Sequence, residues 1–156
     1  MWVGQVYTYP GPLIYLTQPS PMSVQEILNV GEPTMIISES PSESLATMFE
    51  DDGETGYFYA MNLVREKQIV DAVHIYNVAS VVDRHRQSQV EIVWAADGMK
   101  SALLINRYPH AVFDFSAKRG YCRTGFPDSS RGSDGWSEKH EGVGSVMKFF
   151  DSTDRR

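Results

Sequence analysis

The stretch VEIVWAADGMKSALLI (90–105) decides the fold. Asp97 and Gly98 in its middle are a strong signal for a two-residue hairpin turn of type I′, which needs positive φ at both central positions. Pairing the flanking segments outward from this turn places Trp94 opposite Ser101. Apolar and β-branched residues fill both arms, as is typical of strands. The stretch therefore predicts an antiparallel hairpin.

Both faces of this hairpin are mostly apolar. One face carries Val90, Ile92, Trp94, Leu103 and Ile105. The other face carries Val93, Ala95, Ala102 and Leu104. Because neither face is polar, we expect the hairpin to lie at the centre of the domain and to be covered on both sides.

Short segments rich in β-branched and aromatic residues precede and follow the hairpin, with Gly, Pro and Ser between them. The predicted strands lie at 2–9, 13–17, 34–38, 45–50, 57–63, 68–78, 110–116 and 120–126. Residues 146–150 suit a last strand or a turn of helix. This number of short strands predicts antiparallel sheets, arranged either as two packed sheets or as a partly open barrel.

One short helix is predicted near the N-terminus, over residues 24–30. Ser23 followed three residues later by Glu26 forms a capping box. Gly31 is well placed as a left-handed stop, and Pro33 prevents the helix from continuing. The fold class predicted from the sequence is therefore β-rich α+β.

Length and composition indicate one globular domain. The chain has 156 residues, 42% of them hydrophobic, and a single cysteine, which excludes an internal disulfide. We expect residues 1–127 to form the domain and residues 128–156, rich in Gly, Ser and charge, to be a loop-rich extension packing on it. Since no stretch is typical of a signal peptide or a membrane span, a cytoplasmic location is expected.

Charge is distributed unevenly along the chain. Residues 1–64 contain eight acidic residues and no Lys or Arg, whereas residues 84–131 contain eight basic residues and four acidic ones. The two halves either pair with each other inside one fold or leave an acidic surface free. A free acidic surface disfavours nucleic acid and suits a basic protein partner.

The acidic stretch MFEDDGETGYFYAM (48–61) contains the candidate binding residues. They are Glu50, Asp51, Asp52 and Glu54 as the charged element, with Tyr57 and Tyr59 as aromatic anchors. Asp52-Gly53 and Thr55-Gly56 are turn pairs, so the stretch also has an explanation as a hairpin loop. Our hypothesis is a non-enzymatic protein-binding domain of the immunity or accessory type, whose acidic loop points outward and attracts a basic partner.

Neither a metal ion nor a cofactor is predicted. Placing Gly53 at the sixth position of a calcium-binding loop puts Met48 first and Tyr59 twelfth, and neither supplies the carboxylate required there. A looser cation site at residues 50–54 stays as a third possibility. The chain also lacks the GxGxxG, GxxxxGK[ST], GxSxG and HExxH motifs, so the best-marked enzyme classes are not indicated.

The alternative hypothesis is a small-molecule-binding domain or hydrolase. Its cleft would lie near His74, Tyr76, His110 and Asp114. Cys122 is not counted as a nucleophile, because strand alternation places it on the side of Phe113 and Phe115, as a buried apolar residue. The same alternation predicts a cross-strand charge pair between Asp114 and Arg123.

Several stretches carry a resemblance to a known family. FEDDGETGYFYA, DAVHIYNV, EIVWAADGMKSALLINRYPHAVFDF and KRGYCRTGFP, within about residues 35–127, resemble a small bacterial family known only as a domain of unknown function. The resemblance implies a bacterial, cytoplasmic, single-domain protein. It brings no catalytic residues with it.

Overall fold

The computed structural model describes residues 23–123 and Trp136. In this part of the chain, nine strands form two antiparallel sheets. The strands are β1 (Ser23–Leu28), β2 (Thr34–Glu39), β3 (Leu45–Asp51), β4 (Thr55–Asn62), β5 (Ile69–Asn77), β6 (Ser88–Trp94), β7 (Lys100–Ile105), β8 (Tyr108–Asp114) and β9 (Arg119–Cys122). A 3₁₀ turn, Val78–Ser80, follows β5. The strands predicted at 2–9 and 13–17, the segment at 146–150 and the boundary at 127 lie outside the described residues.

The first sheet has five strands in the order β1-β6-β7-β8-β9, and the second has four in the order β2-β3-β4-β5. The predicted antiparallel architecture is therefore confirmed in its form of two sheets, which do not close into a barrel. The sheets pack face to face around a core of aliphatic and aromatic side chains. Phe58 of the second sheet stacks on Phe113 of the first, with ring centroids 5.2 Å apart. Trp136 packs edge-on against the same Phe113 at 5.8 Å.

Two buried polar contacts join the sheets. The Trp94 indole Nε1 donates to Ser38 Oγ at 3.0 Å, and the hydroxyls of Thr47 and Ser101 lie 2.8 Å apart. Each of these four side chains is at least 90% buried, so an unpaired hydroxyl or indole there would be costly. Such pairs fix how one sheet lies on the other, which apolar packing alone does less specifically.

The central hairpin has the predicted register, with Trp94 opposite Ser101 and Ile92 opposite Leu103. Both faces are covered, since Leu103 on one face and Leu104 on the other have no exposed area. The predicted type I′ turn is wrong, because Gly98 has positive φ (73°) and Asp97 does not. The register survives because Ala95 N–H still donates to the Lys100 carbonyl.

The turn with two positive φ angles lies one connection further along the chain. Asn106 (φ 52°) and Arg107 (φ 68°) join β7 to β8, with Ile105 directly opposite Tyr108. Asn at the first of these positions is favoured in type I′ turns. The Asn106 side chain also accepts the Gln89 N–H at 3.0 Å, which ties the turn to β6.

The predicted helix at 24–30 is wrong, because Ser23–Leu28 forms strand β1, paired antiparallel with β6. Val24 and Leu28 pack on the core cluster while Ile27 is 56% exposed, so the side chains alternate between the two faces as in a strand. The capping box is a local signal, and pairing with the edge of the central hairpin overrides it. Gly31 has the expected positive φ (96°), but it follows a strand. In residues 23–123, no helix is long and apolar enough to cross a membrane.

The hairpin of β8 and β9 turns earlier than predicted. Asp114 lies opposite Arg119, so the predicted pair of Asp114 with Arg123 is wrong. Each partner is displaced by four residues, an even number, which leaves the side-chain faces unchanged. Cys122 is accordingly buried beside the core, as predicted, and its Sγ lies 3.4 Å from the His74 carbonyl oxygen of β5.

Gly56 provides a first testable prediction. A Cβ at this position would lie 2.7 Å from the Tyr76 ring, closer than packed atoms tolerate. We expect Gly56→Ala to lower the free energy of unfolding by about 1–3 kcal/mol, the usual cost of overpacking. Urea unfolding followed by tryptophan fluorescence measures this. In a Tyr76→Ala background the same substitution should cost much less, and an equal cost in both backgrounds would contradict the steric explanation.

Candidate functional site

The four acidic residues at positions 50–54 lie at the end of β3 (Glu50 and Asp51) and in the acidic loop that connects β3 to β4 (Asp52 and Glu54), and they have different surroundings. Glu50 is half-buried, Asp51 has no exposed area, and Asp52 and Glu54 are exposed. The expectation that all four point outward is therefore wrong for Asp51. Asp51 lies two residues after Phe49, a core residue of the same strand, so strand alternation turns its side chain inward.

Asp51 is an internal hydrogen-bond acceptor for three parts of the chain. Its Oδ2 accepts the Gly31 N–H at 2.8 Å and the Tyr76 hydroxyl at 2.6 Å. Its Oδ1 accepts the Gly53 N–H at 2.8 Å. Burial, with the hydrogen bond to the Asp51 carboxylate, raises the pKa of Tyr76, so this hydroxyl stays protonated and keeps donating.

Asp52 shapes the loop itself. Its Oδ1 accepts the N–H groups of Glu54 and Thr55, both at 2.9 Å, in an Asx turn. These backbone hydrogen bonds, that from Glu54 first, lower the pKa of Asp52 and keep it ionised. Glu54, which is exposed, has its backbone carbonyl fixed by the Val78 N–H at 2.8 Å. The tip therefore presents the acidic side chains of Asp52 and Glu54 to solvent.

The side of the second sheet that faces away from the core is here called the outer face. Alternation along β2 to β5 assigns to it Met35, Ile37, Glu39, Met48, Glu50, Tyr57, Tyr59, Met61, Ala72 and His74. Met35 is 60% exposed and Ile37 is 50% exposed. Lys and Arg do not occur in any of these four strands. The outer face is therefore an open, largely apolar surface whose fixed charges are negative.

Three rings form a row across the centre of the outer face. Tyr57 stacks on Tyr59 at 5.8 Å and on His74 at 5.3 Å. The Tyr59 hydroxyl donates to Glu50 Oε1 at 3.0 Å, and burial with that hydrogen bond raises the pKa of Tyr59. The structure thus brings Glu50, Tyr57 and Tyr59 together on one surface, with Asp52 and Glu54 at the loop beyond the end of β3.

The exposed apolar residues Met35 and Ile37 were missed in the sequence. The sequence predicts a strand at TMIIS (34–38), but it does not predict which of its side chains face the core. In the structure Ile36 and Ser38 of this strand are buried, and Met35 and Ile37 are exposed. The segment alone does not indicate this direction, because the more apolar pair, Met35 and Ile37, is the exposed one.

The structure brings together two of the four residues of the alternative cleft. His74 lies on the outer face, where its Nε2 is 3.0 Å from Asn77 Oδ1. Asp114 accepts the N–H groups of Ser116 and Ala117 at the end of β8, at 3.0 and 3.1 Å. Tyr76 and His110 do line one cavity, between the sheets. His74 and Asp114 are not among the described residues that line this cavity.

The looser cation site at residues 50–54 is also not formed. Both Asp51 carboxylate oxygens accept hydrogen bonds from donors inside the protein, and the Asp52 Oδ1 accepts the Glu54 N–H of its own loop. Within residues 23–123, no three His, Cys, Asp or Glu side chains are grouped so as to hold a metal ion.

Comparison with known proteins places the chain in a family. The family described as "Uncharacterized protein conserved in bacteria (DUF2251)" matches residues 28–151. An uncharacterized protein of Haemophilus influenzae is 44% identical over 108 residues, which cover 68% of this chain and 67% of the relative. No solved structure matches. Because the family match spans most of the sequence, with nearly all of both sheets, this chain belongs to the DUF2251 family of bacterial proteins.

Proposed function

We propose that this protein is a non-enzymatic binding domain, of the immunity or accessory type, that docks a basic protein partner on its outer face. The observation that carries the proposal is the exposure of Met35 and Ile37 beside a surface without Lys or Arg. Exposed apolar groups that lie together are typical of interaction sites. The stacked tyrosines beside them are residues of the kind that dominate binding energy at interfaces.

The charge of the face supports a basic partner. Glu39 and Glu50 lie on the outer face, and Asp52 and Glu54 lie at the adjoining loop. Negative charges around an apolar centre speed association with a positive surface and disfavour partners that are themselves acidic. A second copy of this face would set like charges against each other, so self-association through it is disfavoured.

Asp51 supports the face without contacting the partner. Its hydrogen bonds to Gly53 and Tyr76 hold the acidic loop against the body of the protein. The loop is thus presented in one conformation, which lowers the entropy lost on binding.

We expect Glu50→Lys and Ile37→Ser each to weaken binding of the partner by about tenfold or more, since each alters the centre of the face. The experiment immobilises the wild-type protein, identifies bacterial proteins retained from extract by mass spectrometry, and measures the dissociation constant of the purified partner for each variant. Raising the salt concentration should slow association with the wild type.

Glu66→Lys is the matched control for the charge change. Glu66 is an exposed acid in the loop between β4 and β5, away from the acidic tip. The control should retain the wild-type dissociation constant. If Glu50→Lys and Ile37→Ser retain it as well, the outer face is not the binding surface and the proposal fails.

A further inference from the structure

A cavity of about 610 Å³ lies between the two sheets, away from the outer face. It is bordered by the end of β1, the end of β5, the segment 81–88 and the start of β8. Its volume falls within the range of small-molecule sites, roughly 300–1,000 Å³. Fourteen of the described residues line it.

One wall of the cavity is apolar. Val30, Val81 and Ile105 line it and are partly exposed, and the buried Leu28 and Ile75 also belong to it. Val30 and Ile105 pack against the core, which limits their movement. An apolar wall of this kind accepts the hydrocarbon part of a ligand and gains from removing it from water.

The other wall contains an unsatisfied histidine. His110 Nδ1 is buried and has no hydrogen-bond partner, the only such side-chain atom among the described residues. A buried polar atom of this kind costs free energy unless a partner reaches it. Burial, and secondarily the charge of Arg123, lower the pKa of His110 to about 4, so the ring is neutral at pH 7. A neutral imidazole offers one donor and one acceptor.

Charged groups at the rim favour an anion. Among the described residues, Arg86 and Arg123 line the cavity together with Asp83, an excess of one positive charge beside the neutral His110. The Arg123 guanidinium lies over the Tyr108 ring, 4.8 Å from its centroid, and this contact holds it near the opening. A guanidinium is well suited to bind a carboxylate with two parallel hydrogen bonds.

We propose that this cavity binds a small organic carboxylate, with its apolar part on Val30, Val81 and Ile105 and its carboxylate between Arg123 and His110. The site is separate from the outer face and does not depend on the proposed partner. The Nδ1 of His110, protonated in one of the neutral tautomers, donates to the carboxylate and so gains the missing partner. Tyr76 also lines the cavity and donates to Asp51, which connects the site to the acidic loop.

Three probes with the same hydrocarbon part test the proposal: phenylacetate, 2-phenylethanol and 2-phenylethylamine. A parallel set of hexanoate, hexanol and hexylamine covers aliphatic ligands. We expect the carboxylates to raise the melting temperature with concentration and to shift the NMR signals of residues lining the cavity. The alcohols should bind at least about tenfold more weakly, and the amines should not shift these signals.

Two pairs of variants make the test decisive. Arg123→Gln should weaken binding of the carboxylates by about tenfold or more, the loss expected when one charged hydrogen-bonding partner is removed. The control is Arg84→Gln, an exposed arginine of the segment 81–88 that does not line the cavity, and it should bind as the wild type does. Val81→Trp should fill the opening and abolish binding, while circular dichroism shows whether each variant is folded.

The proposal is overturned if neither carboxylate shifts the cavity signals up to its solubility limit. It is equally overturned if acid, alcohol and amine bind alike, or if Arg84→Gln and Arg123→Gln lose the same affinity. Because His110 is neutral without ligand, binding should also raise its pKa, which a titration of the ring proton signals by NMR measures directly.

Discussion

Replacing Asp51 with alanine is expected to lower the free energy of unfolding by about 3–5 kcal/mol, the largest effect among the four acidic residues at positions 50–54. The substitution leaves the Gly31 N–H, the Gly53 N–H and the Tyr76 hydroxyl without their acceptor. Each lost partner inside the protein costs about 1–3 kcal/mol, reduced where water reaches the donor. Equilibrium unfolding in urea measures the sum.

Asp52→Ala is the control that separates the hydrogen-bond network from charge. It removes the same negative charge from the next residue, but Asp52 is exposed and accepts hydrogen bonds from Glu54 and Thr55 next to it in the chain. Its effect should be much smaller. Asp51→Asn should fall between the two alanine variants, since an amide keeps one accepting oxygen. If Asp51→Ala and Asp52→Ala destabilise the protein equally, the three donors do not depend on Asp51.

Asp51 also shows where local sequence patterns are informative and where they are not. The sequence predicts a hairpin loop after Glu50, and the strands on both sides of it are present. The predicted strand before the loop ends at Glu50, one residue short of the observed end at Asp51. That one residue decides whether Asp51 belongs to the loop or to a strand, where alternation from Phe49 turns it inward.

The central hairpin was predictable because its information is local. Two apolar arms and a loop with an even number of residues fix the register, and the register holds although the turn type differs. The segment 24–30 was not predictable in this way. Its capping box is a local pattern that is typical of a helix. The segment becomes a strand because it pairs with the edge of β6, about 65 residues later in the chain.

The cavity depends on features that have no local signature. His110 lies at an irregularity in the pairing of β7 with β8. Leu103 lies opposite Ala111 and Leu104 lies opposite Pro109, so His110 between them has no direct partner on β7. The segment 81–88 borders it only because β5 and β6 belong to different sheets. Such an irregularity changes the direction of a side chain, and no single residue type in the sequence predicts it. The sequence therefore predicts His110 and Tyr76 in one cleft, but it does not predict the segment 81–88 that borders the cavity.

Glu91 gives the second large effect, and its sign is opposite to that of Asp51. This side chain of β6 is only 3% exposed, on the face of the first sheet that is turned away from the core. Burial raises the pKa of Glu91 to about 7, although a hydrogen bond from Gln25 and the charge of Arg107 act to lower it. The carboxylate is therefore more costly to ionise in the folded protein than in the unfolded chain.

The pH window follows from these values. The ordinary pKa is 4.5, so between pH 4.5 and about 7 the folded protein binds more protons at this site than the unfolded chain does. The contribution of Glu91 to stability therefore falls as pH rises through that window. Above it the full cost remains, about 3 kcal/mol from the difference between the two pKa values.

Glu91→Gln should consequently stabilise the protein by as much as about 3 kcal/mol at pH 8 and have little effect at pH 4, where the native side chain is neutral. Gln keeps an oxygen for the Gln25 hydrogen bond and has nearly the same shape. Urea unfolding at a series of pH values measures the difference between variant and wild type, in which other titrating groups cancel. Glu26→Gln, an exposed acid on the neighbouring strand β1, removes the same charge without removing a buried one. If both substitutions change stability alike at pH 8, net charge and not burial of Glu91 is responsible.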